Sequence, residues 1–304
     1  MDPVPPNGIA LLDKPGGITS HDAVARLRRA LGTRKVGHAG TLDPMAIGLL
    51  ILGVGPSTRL LTHLVGLDKE YTATIRLGVA TSTDDAEGEV VSAGGAAGVT
   101  ETAIQEGVAA LTGDIRQRPS SVSAIKVDGV RAYDRVRAGE TVELAARAVT
   151  IREFALLARR DASADEAADP VVDLDVRVRC TSGTYIRALA RDLGEGLGVG
   201  GHLTALRRSA VGPFRVEDAV PVPEWNEAGE PVPLLAPAEV AARLFPVLRL
   251  TAPAAADLAN GKRVAADMPD ADAVAALAPD GRLVGLVEVR GGRTRVLTNF
   301  PAEP

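Results

Sequence analysis

The densest group of residues suited to chemistry is the segment Gly37-His38-Ala39-Gly40-Thr41-Leu42-Asp43-Pro44. Its two glycines allow a tight backbone path, and Pro44 biases Asp43 towards an extended conformation, so the carboxylate is expected on a shaped loop. A carboxylate presented in this way could attack a substrate as a nucleophile or take up a proton. The alternative is a turn residue that hydrogen-bonds its own backbone, as Asp before Pro often does.

A second candidate, Arg187, lies where a predicted strand becomes a predicted helix. Thr181-Ser182-Gly183 ends the strand, and apolar residues then recur at helical spacing. An arginine at such a junction could pair with a carboxylate and hold it ionised. The alternative is a surface arginine that begins a helix. The strand before it is indicated by apolar residues that alternate with polar ones: Val172, Leu174, Val176, Val178 and Cys180.

The elements around Asp43 can be predicted from the same periodicities. Residues 9–13 indicate a strand, and Ser20 is expected to cap the helix that follows, whose apolar face is Val24, Leu27 and Leu31. Residues 48–54 indicate a buried strand. In the next predicted strand, Tyr71 alternates with polar neighbours and therefore points to the apolar face. Asp128-Gly129 predicts the tight turn of a hairpin.

Composition bounds the class of protein. The chain has 304 residues, 46% hydrophobic and 24% charged, which is ordinary for a globular protein with one large domain and one small one. No apolar run is long enough to span a bilayer, and the N-terminus has no signal-peptide pattern, so a cytoplasmic protein is expected. A single cysteine, Cys180, excludes an internal disulfide and any multi-cysteine metal site.

The net charge of −5 argues against a nucleic-acid-binding protein, but for such a protein the distribution of charge matters more than the sum. Phosphates respond to the local surface, because screening hides charges beyond about 10 Å. Two segments, 23–42 and 197–216, contain basic residues and no acid. The alternative is a mixed solvated surface. If the basic segments bind RNA, binding is expected to weaken with salt.

Strands and helices mix without a steady βαβ rhythm, which favours an α+β fold over a doubly wound sheet. Residues 220–237 are rich in proline and acid and are expected to connect two domains. Beyond them, residues 283–289 and 294–297 indicate two strands. We therefore expect a catalytic domain at residues 1–247 and a small C-terminal domain at residues 248–304.

Several blocks in order resemble the bacterial tRNA pseudouridine synthase B family. They are Leu12-Asp13-Lys14-Pro15, the segment from Gly37 to Ala46, Lys69-Glu70-Tyr71 before Leu77-Gly78, the hairpin block from Val122 to Tyr133, Gly183-Thr184-Tyr185-Ile186-Arg187, and the segment from His202 to Arg208. The similarity runs from about residue 8 to 215. Each block alone is weak, but together they are highly specific.

The resemblance implies the pseudouridine synthase fold, with a mixed, largely antiparallel sheet, an RNA-binding cleft and a C-terminal PUA-like RNA-binding domain. It implies Asp43 as the catalytic aspartate, Tyr71 against the target base and Arg187 paired with Asp43. His38 would help to fill the space left by the flipped base, and Tyr185 and Leu206 would shape the pocket. We add Lys14, Arg207 and Arg208 as candidate substrate-binding residues.

The implied reaction isomerises the T-loop uridine at position 55 of tRNA, by base flipping and without cofactor or metal; a monomer is expected. Two alternatives stay open: an RNA-binding or RNA-folding chaperone with the same fold, and an unrelated hydrolase that uses Asp43. Whether Asp43 attacks C6 or C1′ also stays open. The chain departs from the family pattern at Ile47, at Val122 and at Thr81-Ser82-Thr83-Asp84-Asp85, where we expect only peripheral contacts to change.

Overall fold

A computed structural model describes residues 5–120, 126–127, 130–131, 145–165, 167, 169–224 and 232–300. The chain divides into two compact units. Unit 1 comprises residues 1–44, 48–65 and 213–304, and unit 2 comprises residues 45–47 and 66–212. Within the described ranges, no helix has the length and apolar character needed to cross a membrane.

The first part of unit 1 is a small sheet with a helix beside it. Its elements are β1 (Gly8–Lys14), α1 (Ser20–Ala30), β2 (Val36–His38), β3 (Ile47–Val54), a 3₁₀ helix (Gly55–Leu60) and α2 (Leu61–Val65). β1 and β2 both pair antiparallel with β3. Because β1 and β3 are buried almost throughout, they are nearly continuous apolar runs, which confirms the two strands predicted here.

The second part of unit 1 ends in a four-stranded sheet in the order β15-β16-β17-β18. Its elements are β13 (Phe214–Arg215), a 3₁₀ helix (Val216–Asp218), β14 (Val220–Pro221), α5 (Pro237–Leu244), β15 (Val247–Arg249), α6 (Ala252–Ala259), β16 (Ala271–Leu277), β17 (Leu283–Arg290) and β18 (Arg293–Asn299). A core of its own lies between this sheet and α6, around Leu258, Val274 and Val287. Both predicted C-terminal strands are confirmed as β17 and β18.

Within residues 220–237, described residues near both ends pair with β1. Val220 and Pro221 pair in parallel with Leu12 and Asp13 of β1. Leu235 and Ile9 exchange two backbone hydrogen bonds, of 2.8 and 3.0 Å. The described parts of this segment therefore lie at the edge of the first sheet, because proline-rich chain can supply short edge strands, and its role as a connection between domains stays a prediction.

Unit 2 is built on an antiparallel sheet in the order β12-β4-β11-β10-β7. Its elements are β4 (Lys69–Leu77), β5 (Ala80–Thr81), β6 (Val90–Ser92), α3 (Glu101–Ala110), β7 (Gly113–Gln117), β8 (Lys126–Val127), β9 (Val130–Arg131), β10 (Arg147–Ala162), β11 (Val171–Cys180), α4 (Ile186–Gly196) and β12 (Gly201–Val211). β8 and β9 pair as predicted, although the Asp128-Gly129 turn lies outside the described residues.

The two faces of the unit 2 sheet differ in polarity. On the buried face Tyr71 and Ile75 alternate along β4, which confirms the predicted orientation of Tyr71. On the other face cross-strand ion pairs replace apolar contacts: Arg76 donates to both oxygens of Asp173 at 2.8 Å, and Arg160 pairs with Asp175. Mixed, largely antiparallel pairing together with separate helices confirms the α+β class.

Candidate active site

Asp43 lies half-buried on the loop between β2 and β3, and Lys14 of β1 hydrogen-bonds that loop at the next residue, Pro44. Lys14 is 0% exposed, and its Nζ donates to the carbonyl oxygens of Pro15 (2.9 Å), Ile18 (2.8 Å) and Pro44 (3.2 Å). The Gly17 amide also donates to the Pro44 oxygen, at 2.9 Å. A buried ammonium is tolerated only when it is fully hydrogen-bonded. These contacts indicate that Lys14 supports the loop; direct contact with substrate stays a prediction.

Ser20 holds the residue before Asp43. Its hydroxyl donates to the Leu42 oxygen at 3.0 Å and accepts from the Leu42 amide at 2.8 Å. The prediction that Ser20 caps α1 was wrong. Thr19 is the cap: its hydroxyl accepts from the Asp22 amide, and Asp22 Oδ2 accepts from the Thr19 amide in return. The Thr19 hydroxyl, which donates to Asp22 Oδ2 at 2.7 Å, and then the Thr19 amide lower the pKa of Asp22. The acid three residues after Thr19, where Ser20 has Ala23 at the same spacing, was the sequence signal for the correct cap.

Ser20→Ala is expected to loosen the Asp43 loop. The change leaves a buried amide and a buried carbonyl of Leu42 without their partner, which costs about 1–3 kcal/mol of the free energy of unfolding. We expect that loss in urea unfolding, and a lower catalytic rate because Asp43 is less well placed. Thr19→Ala is the matched control, since it removes an exposed cap and is expected to cost only about 1 kcal/mol. Equal catalytic rates in Ser20→Ala and wild type would contradict a positioning role.

His38 ends β2, where it pairs with Leu52 and is half-buried. The next amide, that of Ala39, donates to the Ile51 oxygen at 2.9 Å and extends the pairing by one residue. His38 therefore stands at the start of the same loop that carries Asp43. The structure keeps the two residues in one unit, on one short segment.

Arg187 lies in the first turn of α4 and is buried, with 5% of its surface exposed. Its Nη1 donates to Asp85 Oδ2 at 3.1 Å and to the Thr83 oxygen at 3.0 Å. Asp85 is 2% exposed, and its Oδ1 accepts from the Thr83 hydroxyl (2.5 Å) and the Glu87 amide (3.1 Å). Arg187 is therefore no surface arginine.

The segment Thr81-Ser82-Thr83-Asp84-Asp85 is not peripheral, contrary to expectation. Asp84, also in this segment, pairs with Arg191 of α4 at 3.1 Å, and Asp85 pairs with Arg187. The two arginines lie one helical turn apart. Burial raises the pKa of Asp84, and the Arg191 guanidinium opposes that rise. Sequence reasoning missed Asp85 because its partner is 102 residues away. The sequence signals for Asp85 were two consecutive acids and their place in a segment that departs from the family pattern.

Tyr71, Leu206 and Arg208 meet on neighbouring strands of unit 2. Arg208 of β12 pairs with Tyr71 of β4, and Leu206 pairs with Ala73. All three side chains are buried, whereas Arg207 between them is half-buried. Tyr185 is half-buried and precedes α4 directly. Within unit 2 the structure thus brings Tyr71 close to Arg208 and Tyr185 close to Arg187.

The predicted site residues fall into two sets. Unit 1 holds Lys14, His38 and Asp43, and unit 2 holds the others: Tyr71, Tyr185, Arg187, Leu206, Arg207 and Arg208. The pairing of Arg187 with Asp43 and the packing of Tyr71 against a base therefore stay predictions. Among the described residues, no group of three or more His, Cys, Asp or Glu side chains is placed to hold a metal ion.

Lys69 lies two residues before Tyr71 on the same face of β4 and is buried. Its Nζ donates to the Leu67 oxygen at 2.7 Å. Burial, and to a smaller extent the charge of Arg208, lower the pKa of Lys69 to about 8. Opposite it on β11, burial raises the pKa of the Cys180 thiol to about 11. The thiol is therefore protonated at neutral pH, as expected for a core residue.

The lowered pKa of Lys69 predicts a pH-dependent stability. Between about pH 8 and 10.5 the unfolded chain binds a proton that the folded protein has released, so the free energy of unfolding rises with pH in this window. The cost of burying the ammonium is fully present below pH 8. We compare the free energy of unfolding of Lys69→Met, which has no ammonium to bury, with that of wild type. The difference, variant minus wild type, is expected to fall by about 2 kcal/mol between pH 7 and pH 10, because wild type gains stability in this window. Urea unfolding at both pH values measures this, and a difference that does not change with pH would contradict the lowered pKa of Lys69.

Three family models match consecutive parts of the chain. Residues 28–186 match the TruB family pseudouridylate synthase N-terminal domain. Residues 187–230 match the tRNA pseudouridylate synthase B C-terminal domain, and residues 245–301 match the tRNA pseudouridine synthase II C-terminal domain. Together these matches span most of both units.

Similar proteins cover nearly the whole chain. A tRNA pseudouridine synthase B of Leifsonia xyli subsp. xyli is 58% identical over 98% of this chain and 97% of that protein. A tRNA pseudouridine synthase B of Thermobifida fusca is 52% identical over 97% and 98% of the two chains.

Two solved structures resemble this chain in fold. One is an H/ACA RNP bound to a substrate RNA containing 2′-deoxyuridine, with a TM-score of 0.67 and 23% identity over 97% of this chain and 86% of that one. The other is a Cbf5-Nop10-Gar1 complex, with a TM-score of 0.67 and 24% identity over 97% and 85%. At such identities the likeness concerns the fold alone, and it confirms the expected fold class.

Proposed function

Because this chain belongs to the TruB family of pseudouridylate synthases, we propose that it isomerises a T-loop uridine of tRNA to pseudouridine. One structural observation supports the proposal most directly. Asp43 lies on a loop to which Lys14 and Ser20 make three hydrogen bonds, at the backbone of Leu42 and Pro44 on either side of it, so the backbone that carries the carboxylate is held before any substrate arrives. A turn residue without a catalytic task would not need such support.

The reaction is an isomerisation in which atoms balance without a further reactant. The bond from N1 to C1′ breaks, the uracil rotates, and a bond from C5 to C1′ forms; the proton lost from C5 is balanced by the one gained at N1. We propose that the Asp43 carboxylate assists either as a nucleophile at C6 or C1′ or by deprotonating and stabilising the intermediate. Arg187 would keep Asp43 ionised by direct pairing in the complex.

The base must leave its stack before it can react, at a cost of a few kcal/mol. Stacking on an aromatic ring returns about 1–3 kcal/mol per base, and we propose Tyr71 for this role. His38 would help to fill the space that the base leaves, and Tyr185 and Leu206 would shape the pocket. Phosphate contacts would come from the basic segments, in which Arg29, Arg34 and Lys35 are exposed.

We further propose that the protein acts as a cytoplasmic monomer on the T-stem-loop without a metal ion. The proposed domain boundary stays at residues 247 and 248, with a PUA-like RNA-binding domain beyond it. The four-stranded sheet from Val247 to Asn299, which has its own core, supports a separate C-terminal function. Basic residues exposed on this sheet, such as Arg293, are candidates for RNA contact.

Mapping of pseudouridine in tRNA tests the proposed function. Cells that lack the protein are expected to lose pseudouridine at one T-loop position, and purified protein is expected to restore it in their tRNA. Unmodified tRNA transcripts provide the matched substrate, with a transcript that carries cytidine at the target position as control. Loss of pseudouridine at another site, or none, would refute the proposed target.

A further inference from the structure

Gln117 contacts the backbone of the motif that carries Tyr185 and Arg187. It is the last residue of β7 and is 1% exposed. Its Nε2 donates to the Tyr185 oxygen at 2.9 Å, and its Oε1 accepts from the Tyr185 amide at 2.8 Å. One side-chain amide thus satisfies both polar groups of a single residue, 68 positions further along the chain.

These two bonds are made at Tyr185, the N-cap residue of α4. Tyr185 precedes the first residue of the helix, and its side chain makes no capping hydrogen bond. Its backbone is extended, with φ −105° and ψ 109°, and within the helix its oxygen accepts only a long bond of 3.3 Å from the Leu189 amide among the described contacts. Gln117, at the end of β7, adds two shorter hydrogen bonds to this backbone.

The residues that follow Gln117 contact the other partners of Arg187. The Ser120 hydroxyl donates to the Thr83 oxygen at 3.3 Å, the same oxygen that accepts from Arg187 Nη1. The Arg118 oxygen accepts from Arg191 Nη2 at 2.8 Å. Residues 117–120 therefore connect the start of α4 to the Thr83–Asp85 segment, the two elements that together determine where the Arg187 guanidinium lies.

We infer that Gln117 is a positioning residue for Arg187 in the isomerisation. The inference rests on the proposed function and adds a residue to it. Gln117 acts through the Tyr185 backbone, two residues before Arg187, and a displacement of about 1 Å in a catalytic group can cost about 100-fold in rate. The role requires a donor and an acceptor on the same side chain, which an amide provides and an ionised carboxylate does not.

Gln117→Met keeps the length of the side chain and removes both hydrogen bonds. Its single-turnover rate with saturating enzyme is expected to fall by about 10- to 100-fold, while the tRNA dissociation constant stays unchanged. Gln105→Met is the matched control, because Gln105 is an exposed glutamine of unit 2 that bonds only to Glu101 in the described contacts. A wild-type rate in Gln117→Met would overturn the inference, as would an equal loss in Gln105→Met.

Gln117→Glu separates positioning from simple stability. An ionised Glu accepts from the Tyr185 amide but repels the Tyr185 oxygen, whereas a protonated Glu restores both bonds. Because burial raises the pKa of a carboxyl group, the rate relative to wild type is expected to recover as pH falls from 8 to 6. Both rates are measured below the melting temperature of either protein. A rate ratio that does not change with pH would overturn the inference.

The same assays distinguish failure of the inference from failure of the proposed function. If wild type forms no pseudouridine in tRNA, the proposed function fails. If wild type is active and both Gln117 variants match it at every pH, only the role of Gln117 fails. Should Gln117→Met not fold, Gln117→Glu at low pH carries the test.

Discussion

Asp43→Asn is expected to abolish pseudouridine formation while tRNA binding persists. An amide cannot act as a nucleophile or accept a proton as a carboxylate does, so we expect the rate to fall by at least about 1000-fold, or about 4 kcal/mol of transition-state stabilisation. The change is nearly isosteric, and the bonds of Lys14 and Ser20 to the loop involve backbone groups of Leu42 and Pro44. The fold of the loop should therefore survive.

Single-turnover assays with unmodified tRNA, together with filter binding of the same tRNA, measure both quantities. Asp218→Asn is the matched control, because it removes one negative charge from an exposed position of unit 1. Isomerisation by Asp43→Asn at a rate near that of wild type would exclude the proposed mechanism. If tRNA folding is assisted normally while isomerisation is lost, any chaperone role is separate from the chemistry.

Arg187→Met is expected to damage both stability and activity. Removal of the guanidinium leaves the Asp85 carboxylate buried without its cation, and breaking a buried pair typically costs about 3–5 kcal/mol. The rate is expected to fall about as far as in Asp43→Asn, because Arg187 is proposed to hold that carboxylate ionised. Urea unfolding and single-turnover kinetics measure the two losses independently.

A second substitution separates the two effects. Asp85→Asn in the Arg187→Met background removes the negative charge that the first substitution leaves buried without a cation. The Asn oxygen can still accept hydrogen bonds from the Thr83 hydroxyl and the Glu87 amide. Stability is expected to return for the most part, since neutralising both partners of a buried pair is often nearly neutral. Activity is expected to stay absent. If the double variant regains activity along with stability, Arg187 has only a structural role.

Sequence periodicity was sufficient for the strands that have a clear apolar pattern. β1, β3, β4 and β11 were all predicted, because each combines β-branched or aromatic residues with burial of one or both faces. β16 was missed because its sequence, ADAVAAL, is rich in alanine, which favours helices. Its neighbours β15 and β17 impose the strand, and such tertiary effects are absent from local sequence.

The candidate site shows a similar division. Asp43, Tyr71 and Arg187 could each be selected from a motif whose own residues lie within a few positions of one another. The residues that hold them could not, since Ser20, Asp85 and Gln117 act across 22, 102 and 68 positions. Each is a common polar residue with no local pattern. Only the folded chain shows that their hydrogen bonds converge on the two predicted motifs.

The bonds made by Lys14 and Ser20 have a consequence for how the Asp43 loop moves. The amides of Gly17 and Leu42 donate to acceptors on the loop and on α1, and both Lys14 and Ser20 are buried. Exchange of the Leu42 amide hydrogen with solvent deuterium is therefore expected to require separation of the loop from the buried Ser20 of α1. We therefore expect the loop that presents the carboxylate to be ordered before RNA binds, so that the change of conformation during binding falls mainly on the RNA.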